Sequence, residues 1–237
     1  MLFAPAQAIA DTGLFTSLPI VWPEADNVSS LIGAGSGKHW VLATLERQGP
    51  VVPLDRFNQG DGKLAGLGLI VMAQPRPLAA EESVALDRWV RAGGRLLVFA
   101  DPMLTQHSAF ALGDKRRPQD IVMLGPLLRH WGLVLHFDPG QAAGERSVPG
   151  LGLNIPVNLP GTFTRASRHA PCRLQAKRIA AECRIGKGRA LILADAALLE
   201  PQEGDSHGRA AVLAGLLARL EGRRSGPVEP GKTRSGE

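Results

Sequence analysis

Two aspartates, Asp101 and Asp195, each directly follow an apolar run of this sequence, and their carboxylates are the groups best placed to do chemistry. If both runs are parallel strands, the aspartates lie at the edge of the sheet where open α/β folds bind ligands. Carboxylates at that edge, within reach of Glu24 or His107, would suit the acid and base steps of a hydrolase or transferase.

Nucleophilic catalysis in such a fold would need a Ser or Cys at a tight turn after a central strand, with a histidine to activate it. Here the apolar residues 67–73 are followed by Gln74 and Pro75, so the turn carries no nucleophile. The six histidines are scattered, and none is spaced like a metal-binding pair. The sequence therefore favours a binding domain without metal or cofactor. The candidate ligand-binding residues are Ser17, Glu24, Gln74, Asp101, His107 and Asp195.

A glycine-rich segment, GAGSGKH at residues 33–39, has the composition of a phosphate-binding loop but not its spacing. A P-loop has four residues between its first glycine and the Gly-Lys pair, and then Ser or Thr. Here three residues intervene, and His39 follows Lys38. The third glycine of a dinucleotide-binding fingerprint is also missing. The segment is instead predicted to be a loop that caps the following helix.

The two cysteines, Cys172 and Cys183, allow two interpretations. If the chain reverses at Lys177 and Arg178, the thiols face each other across a hairpin, within reach of a disulfide bond. The other interpretation is a pair of unrelated buried thiols. No second cysteine pair and no histidine at ligand spacing accompanies them, so a zinc site is not expected.

Composition limits the class of protein and its partners. The chain has 237 residues, 44% of them hydrophobic, which is enough to bury the core of one domain. The formal net charge is +5, but Lys and Arg are spread along the chain, Tyr is absent and aromatics make up 5%. Nucleic-acid binders cluster their basic residues and use aromatic rings to stack bases. Nucleic acid is therefore not the expected partner.

The elements that must position these residues follow an alternating pattern. Within residues 81–102, apolar residues at helical spacing stop at Gly93 and Gly94, and a short apolar run leads to Asp101. This pattern predicts a helix that leads into a buried strand. The predicted strands are 14–22, 51–54, 67–73, 96–100, 133–137 and 189–194, and the predicted helices are 38–48, 79–92, 119–131 and 208–220. Such alternation favours right-handed crossovers, a mostly parallel sheet and an α/β fold.

Three segments depart from this pattern. Residues 138–183 are rich in Pro and Gly, and they predict a β-rich or loop-rich insertion within a domain that spans 11–220. Residues 221–237 have no apolar face and predict a disordered tail. Residues 1–10, MLFAPAQAIA, end in the small-x-small pattern of a secretory signal peptide, unless the likeness is chance. A signal remnant there would predict an extracytoplasmic, periplasmic protein.

Three stretches of the chain, LDRWVRAGGRLLVFADP, LFTSLPIVWPE and GKGRALILADAALLE, resemble the class I glutamine amidotransferase-like domains of a bacterial family. That family is related to the soluble domain of gliding-motility-type ABC transporter auxiliary proteins. The resemblance covers residues 13–220 and implies a three-layer, flavodoxin-like core. Enzymes of the wider class carry a Cys at the elbow and a His partner, whereas this chain has Gln74 there.

Two hypotheses about function follow. The first is a non-catalytic extracytoplasmic domain that binds a small polar ligand or a protein partner, as an accessory of an ABC transporter or another envelope protein. The second is a hydrolase or transferase that uses Asp101 or Asp195 as acid or base, which requires both carboxylates to converge in one pocket.

Overall fold

The computed structural model describes residues 11–24, 38–57, 64–200 and 206–222. Its strands are β1 (Asp11–Thr16), β2 (Val51–Pro53), β3 (Leu67–Ala73), β4 (Arg95–Phe99), β5 (Leu133–His136), β6 (Arg146–Gly150), β7 (Leu153–Val157), β8 (Thr162–Arg165), β9 (Cys172–Gln175), β10 (Ala180–Ile185) and β11 (Gly188–Leu193). Its α-helices are α1 (Trp40–Glu46), α2 (Ala80–Ala92), α3 (Gly125–His130) and α4 (Ser206–Leu220). None of the helices in those ranges combines the length and the hydropathy that a bilayer crossing requires.

Three predicted features lie wholly or mostly outside the described residues. The signal-like residues 1–10 and the glycine-rich residues 33–37 are two of them. Lys38 and His39, which end the glycine-rich segment, are described. The imidazole Nδ1 of His39 caps α1 by accepting the backbone N–H of Val41 at 3.3 Å. Of the predicted tail 221–237, the structure describes Glu221 and Gly222.

Seven strands form the main sheet, in the order β2-β1-β3-β4-β11-β10-β9. The first five of these run parallel to one another, and β10 and β9 are antiparallel additions at one edge. The sequence-based prediction of an α/β fold with a mainly parallel sheet is confirmed. If the five parallel strands are numbered by their order in the chain, so that β11 is the fifth, their order across the sheet is 2-1-3-4-5. The order therefore reverses between β1 and β3.

Helices cover both faces of the main sheet because its central strands are apolar on both sides. In β3, Ile70 and Met72 belong to one buried cluster, and Leu69 and Val71 belong to the other. The first cluster also contains the buried apolar residues of α2 and α3, and the second contains those of α1 and α4. An unbroken apolar run such as LGLIVMA is what a strand buried on both faces requires.

Local interactions at both ends of α2 fix where this helix begins and where the chain turns into β4. At the start of α2, Glu82 accepts the Ala79 N–H at 2.9 Å and pairs with the Arg76 guanidinium at 2.8 Å. The Arg76 contact holds the pKa of Glu82 down, to about 2. At the other end, Gly93 has φ +128°, a conformation that residues with a side chain rarely adopt. A Cβ on Gly94 would lie 2.5 Å from the Trp89 ring, so only glycine lets the chain pass this close to the helix.

The first strand is shorter than the predicted 14–22, since β1 ends at Thr16. The Thr16 hydroxyl accepts the Leu18 N–H at 2.9 Å and lies 3.0 Å from the Ala73 carbonyl oxygen. A threonine side chain that bonds the backbone two residues ahead favours a turn over an extended strand. Residues 17–24 consequently fold over the carboxyl edge of the sheet.

The helix predicted at 119–131 was also overestimated, because α3 begins only at Gly125. The preceding residues are held against the strand ends instead: the Val122 N–H donates to the Asp101 carbonyl at 2.9 Å. Pro126 occupies the first turn of α3, where its missing N–H costs nothing. The apolar residues Val122 and Leu124 before α3 therefore pack into the core without forming a helix.

Residues 138–183 contain β6, β7, β8 and β9 and the start of β10, and part of the segment belongs to the main sheet. β5 pairs with β8 and β6 pairs with β7 in two small antiparallel sheets. The later part of the segment supplies β9 and the start of β10, which extend the main sheet. These antiparallel strands bring Cys172 and Cys183 opposite each other, with their Cα atoms 4.0 Å apart, and a disulfide joins them.

We expect the disulfide to stabilise the domain through the short loop that it closes. Replacing both Cys172 and Cys183 with alanine should lower the free energy of unfolding by about 3 kcal/mol. Urea unfolding with and without a reductant measures the effect. Reductant should weaken the natural protein by a similar amount and leave the double variant unchanged; equal stability of the oxidised protein and the variant would contradict the expectation.

Candidate functional site

A cavity of about 350 Å³ lies beyond the carboxyl ends of β1 and β2, and we call it the β1–β2 cleft. It is lined by Leu14, Thr16, Ser17, Leu18, Pro19, Val21, Trp22, Pro23, Glu24, Pro53, Leu54, Asp55, Phe110 and Arg116. Apolar walls with a few polar groups are typical of sites for small molecules. Two of the predicted ligand-binding residues, Ser17 and Glu24, are among these lining residues.

A second cavity, of about 300 Å³, shares five lining residues with the cleft and extends it toward α2. The residues that only this extension contributes are Phe15, Arg76, Lys115, Arg117 and Gln119. Its polar groups lie on the loop that follows β4 and on the turn that follows β3. The extension therefore lies near the point between β1 and β3 where the strand order of the sheet reverses, and the cleft adjoins it on the side of β2.

Glu24 joins the two walls of the cleft. One carboxylate oxygen accepts the Ser108 hydroxyl at 2.8 Å, and the other accepts the Ala109 N–H at 2.8 Å. Because both oxygens are engaged, Glu24 fixes the loop after β4 against residues 17–24. Its role in this structure is to shape the cleft.

The charges around the cleft are largely balanced. Three arginines each pair with a carboxylate: Arg76 with Glu82, Arg116 with Asp114, and Arg117 with Asp120. The Arg116 guanidinium also lies 4.2 Å from the ring centroid of Phe110, a distance at which cation and ring attract. A ligand with both apolar and polar parts fits such walls better than a highly charged one.

Gln74 occupies the elbow after β3 in the backbone conformation of a strained turn. Its φ is +45°, and its side chain is fully buried. The amide oxygen accepts the Asp101 N–H at 2.9 Å, and the amide nitrogen donates to the carbonyls of Asp101 at 3.0 Å and Gln119 at 2.7 Å. A non-glycine residue in this region costs on the order of 1 kcal/mol, so the surrounding bonds must hold it there. Every polar atom of the side chain serves the fold.

Ser17 lies next to this elbow and is engaged in the same way. Its hydroxyl donates to the Gln74 carbonyl and accepts the Gln119 N–H at 3.0 Å. These contacts tie the ends of β1 and β3 to the irregular chain before α3. Ser17 reaches the cleft wall, but its hydroxyl is already bonded on the side of the sheet.

Asp101 and Asp195 lie at the carboxyl ends of neighbouring strands, as the sequence predicted, but both are buried. Their residues are 0% and 3% exposed. Asp101 accepts the N–H groups of Met103 at 2.8 Å and Ala196 at 2.9 Å. Neither aspartate lines the β1–β2 cleft or its extension. The Asp101 carboxylate binds the loops that follow β4 and β11 to one another, and the Asp195 carboxylate binds the loop after β11 to the segment after β7.

The environment of both aspartates disfavours their charged forms. Burial raises the pKa of Asp101 to about 7, although the hydrogen bonds from its two backbone N–H donors act to lower it. Burial, with the adjacent Asp101 charge, raises the pKa of Asp195 well above its ordinary value. Asp195 accepts the N–H groups of Ala197 at 2.7 Å and Asn158 at 2.9 Å, which offset part of this cost.

A polar network continues from Asp195, and sequence reasoning missed most of it. The Asn158 amide donates to the Thr105 hydroxyl at 3.2 Å, and that hydroxyl donates to Glu200 at 2.7 Å. Burial raises the pKa of Glu200 as well. The Arg209 guanidinium, 2% exposed, closes the network by bonding the Ala197 carbonyl and Glu145. Residues so distant in sequence carry no shared local signal.

The predicted candidates thus form two separate groups and one outlier. Ser17 and Glu24 line the cleft, with Gln74 behind it, whereas Asp101 and Asp195 belong to the buried network. The sixth candidate, His107, is exposed on the loop after β4. The convergence of both aspartates with Glu24 or His107 in one pocket, which the enzyme hypothesis requires, is not found in the β1–β2 cleft or its extension. Among the described residues, no cluster of three or more His, Cys, Asp or Glu side chains could hold a metal ion.

No protein-family model and no curated protein matches this chain. Solved structures share its fold at low sequence identity. The mmIFT52 N-terminal domain aligns with a TM-score of 0.55 at 16% identity, over 92% of this chain and 99% of that one. An exo-β-1,4-mannosidase from Opitutaceae bacterium strain TAV5 aligns at 0.52 and 12% identity, over 87% of this chain.

The GH42 β-galactosidase Gan42B from G. stearothermophilus, in its E323A catalytic mutant, aligns with a TM-score of 0.50 at 12% identity, over 90% of this chain. The chain spans only 35% of the mannosidase and 30% of the galactosidase. At these identities the likeness concerns the fold alone.

Proposed function

We propose that this protein is a non-catalytic, extracytoplasmic α/β domain of the three-layer, flavodoxin-like type, which binds a small polar ligand in the β1–β2 cleft. It would serve as an accessory to a membrane transporter or another envelope protein. The observation that carries the proposal is the state of Gln74, which stands where an enzyme of this class would have its nucleophile and is buried in structural hydrogen bonds.

The position of the cleft supports the choice of site. Open α/β sheets bind ligands outside the carboxyl ends of their strands, at the point where the strand order reverses. The parallel strands have the order of flavodoxin-like sheets, with the reversal between β1 and β3. Ser17, directly after β1, lines both the cleft and its extension. Mostly apolar walls with a few polar groups and balanced charges then favour a small ligand that offers polar groups on an apolar body and carries little charge.

The disulfide between Cys172 and Cys183 supports the extracytoplasmic location. Disulfides persist in oxidising compartments and are rare in reducing ones. The role beside a transporter or envelope protein depends on the resemblance to the glutamine amidotransferase-like domains of gliding-motility-type auxiliary proteins. It is the part of the proposal that needs a partner experiment of its own.

A thermal-shift screen with monosaccharides, amino acids and nucleosides tests the binding function. A ligand present at about 100 times its Kd adds about 2.7 kcal/mol to the free energy of unfolding, which raises the Tm by several degrees. Trp22 is 79% exposed on the cleft wall, so replacing it with alanine should remove most of that shift without unfolding the protein. Leu112→Ala is the matched control, because Leu112 is 81% exposed and does not line the cleft.

The proposal fails if no probe stabilises the natural protein, or if Trp22→Ala and Leu112→Ala respond alike. The alternative is a hydrolase or transferase that uses Asp101 or Asp195 as acid or base, and the Asp101 pKa of about 7 suits a general acid at neutral pH. Turnover of p-nitrophenyl esters or glycosides that Asp195→Asn abolishes would favour that alternative.

A further inference from the structure

Three arginines lie side by side on neighbouring strands, at the edge of the main sheet where its parallel strands begin: Arg95 and Arg189 at the amino ends of β4 and β11, and Arg184 near the carboxyl end of the antiparallel β10. Arg189 of β11 is the Cα partner of both Arg95 of β4 and Arg184 of β10. Side chains paired in this way lie on one face of the sheet, and like charges directly opposite each other are destabilising. Arg95 is neutralised by Glu221 at 3.3 Å. In the described part of the chain, neither Arg184 nor Arg189 has an acidic partner.

The unpaired arginines surround a cavity of about 390 Å³ on the sheet face that carries α4. Arg173 of β9, a third arginine without an acidic partner among the described residues, also lines it. The one carboxylate in the wall, Glu182, is taken up by the Arg219 guanidinium at 2.5 and 3.0 Å. Since that pair is neutral, the cavity keeps the charge of three guanidinium groups.

Strand alternation explains why these groups converge. In β10 the buried Cys183 points to the opposite face, so Glu182 and Arg184 share the face that α4 partly covers. Arg173 lies opposite Glu182 on β9, and Arg189 lies opposite Arg184 on β11. Four charged side chains from three strands are thereby held on rigid elements around one opening.

We propose that this cavity is a binding site for a phosphate-bearing anion of at least two negative charges. A guanidinium group presents a planar fork of donors that matches phosphate oxygens, and an anion between Arg184 and Arg189 would turn their repulsion into attraction. The volume admits a small phosphorylated molecule. The site is independent of the β1–β2 cleft, since it lies at the amino ends of the parallel strands rather than at their carboxyl ends.

Titration calorimetry of the full chain with sodium pyrophosphate at low salt tests the proposal. The natural protein should bind, and the double variant Arg184→Gln/Arg189→Gln should bind at least about tenfold more weakly, which corresponds to the loss of charge-assisted bonds. Arg168→Gln is the control, because Arg168 is exposed on the loop before β9 and does not line the cavity. The control should stay within about twofold of the natural protein.

Stability without any anion separates a binding role from a structural one. Arginines that only repel each other contribute nothing to the fold, so the double variant should unfold at the same urea concentration as the natural protein or a higher one. Pyrophosphate should raise the midpoint of the natural protein alone. A lower midpoint for the variant without pyrophosphate, or equal pyrophosphate binding by both proteins, overturns the proposal.

A free phosphorylated molecule and a phospholipid headgroup would present the same chemistry. Sedimentation with phosphatidylglycerol vesicles, against phosphatidylcholine vesicles, distinguishes them. Binding to the anionic vesicles alone, displaced by pyrophosphate and lost in the double variant, assigns the site to a headgroup. Pyrophosphate binding without vesicle binding assigns it to a free molecule, and the absence of both refutes the site.

Discussion

Replacing Gln74 with alanine is expected to lower the free energy of unfolding by about 3 to 5 kcal/mol, which is a large part of the stability of a small domain. The truncation leaves the buried N–H of Asp101 and the carbonyls of Asp101 and Gln119 without their partners. Each unsatisfied buried group costs about 1 to 3 kcal/mol. Alanine gains nothing in return, because it is also strained at a φ of +45°.

Gln74→Glu sharpens this test. The new carboxylate can still accept the Asp101 N–H, but its charge faces two carbonyl oxygens that need a donor. We expect a loss at least as large as that of Gln74→Ala, measured by urea unfolding at neutral pH. Gln106→Ala, a change at a partly exposed glutamine in the loop after β4, is the control and should cost less than about 0.5 kcal/mol. A loss below about 1 kcal/mol for Gln74→Ala would mean that the elbow does not depend on this side chain.

The second large effect is a fall in stability as the pH rises from mildly acidic to neutral. Burial raises the pKa of Asp101 from 3.8 to about 7. Between those values the folded protein holds a proton that the unfolded chain has released. The contribution of Asp101 is therefore complete below pH 3.8 and is lost as the pH rises through about 7, on the order of 4 kcal/mol in total.

Asp101→Asn isolates this contribution. The amide does not titrate, so the fall in stability between about pH 5 and 7 should become shallower by up to about 1.4 kcal/mol per pH unit. The variant also loses one backbone hydrogen bond, because an amide nitrogen cannot accept the N–H of Met103 or Ala196. Its stability should then be lower at pH 5, while its slope is smaller. Asp138→Asn, at an exposed aspartate, should keep the natural slope.

Other groups titrate in or near this window, and the comparison of slopes removes those that do not interact with Asp101. Burial also raises the pKa values of Asp195 and Glu200. Because the Asp101 charge raises the pKa of Asp195, the difference in slope measures Asp101 together with its effect on Asp195. Burial lowers the pKa of His39, which makes stability rise with pH toward its ordinary value of 6.5. Glu82 has a pKa lowered to about 2 and acts only in more acidic solution. Both contributions are the same in the natural protein and in Asp101→Asn. Equal slopes for the two proteins would show that Asp101 is ionised in the folded state at pH 5.

How far the sequence alone predicts the fold depends on the range of the signals. The helix α2 and the strand β4 were predicted to within one residue, because their apolar spacing and the stop at Gly93 are local. The predicted helix 119–131 was too long at its start, because a long-range contact decides the conformation of the residues before Gly125. Its apolar spacing is genuine, but the bond from the Val122 N–H to the Asp101 carbonyl holds the chain in another conformation. No local pattern reports such a partner.

The same division applies to the candidate sites. From the sequence alone it follows that Gln74 stands at the elbow and that Asp101 and Asp195 end two strands of a mainly parallel sheet, since each of these statements needs only neighbouring residues. Only the tertiary structure decided that the two carboxylates are buried under backbone donors from distant loops, and that Arg184 and Arg189 stand opposite each other. Burial and strand register arise from contacts between segments far apart in the chain. The free energy of such a contact depends on both segments together, so the sequence of either one alone does not determine it.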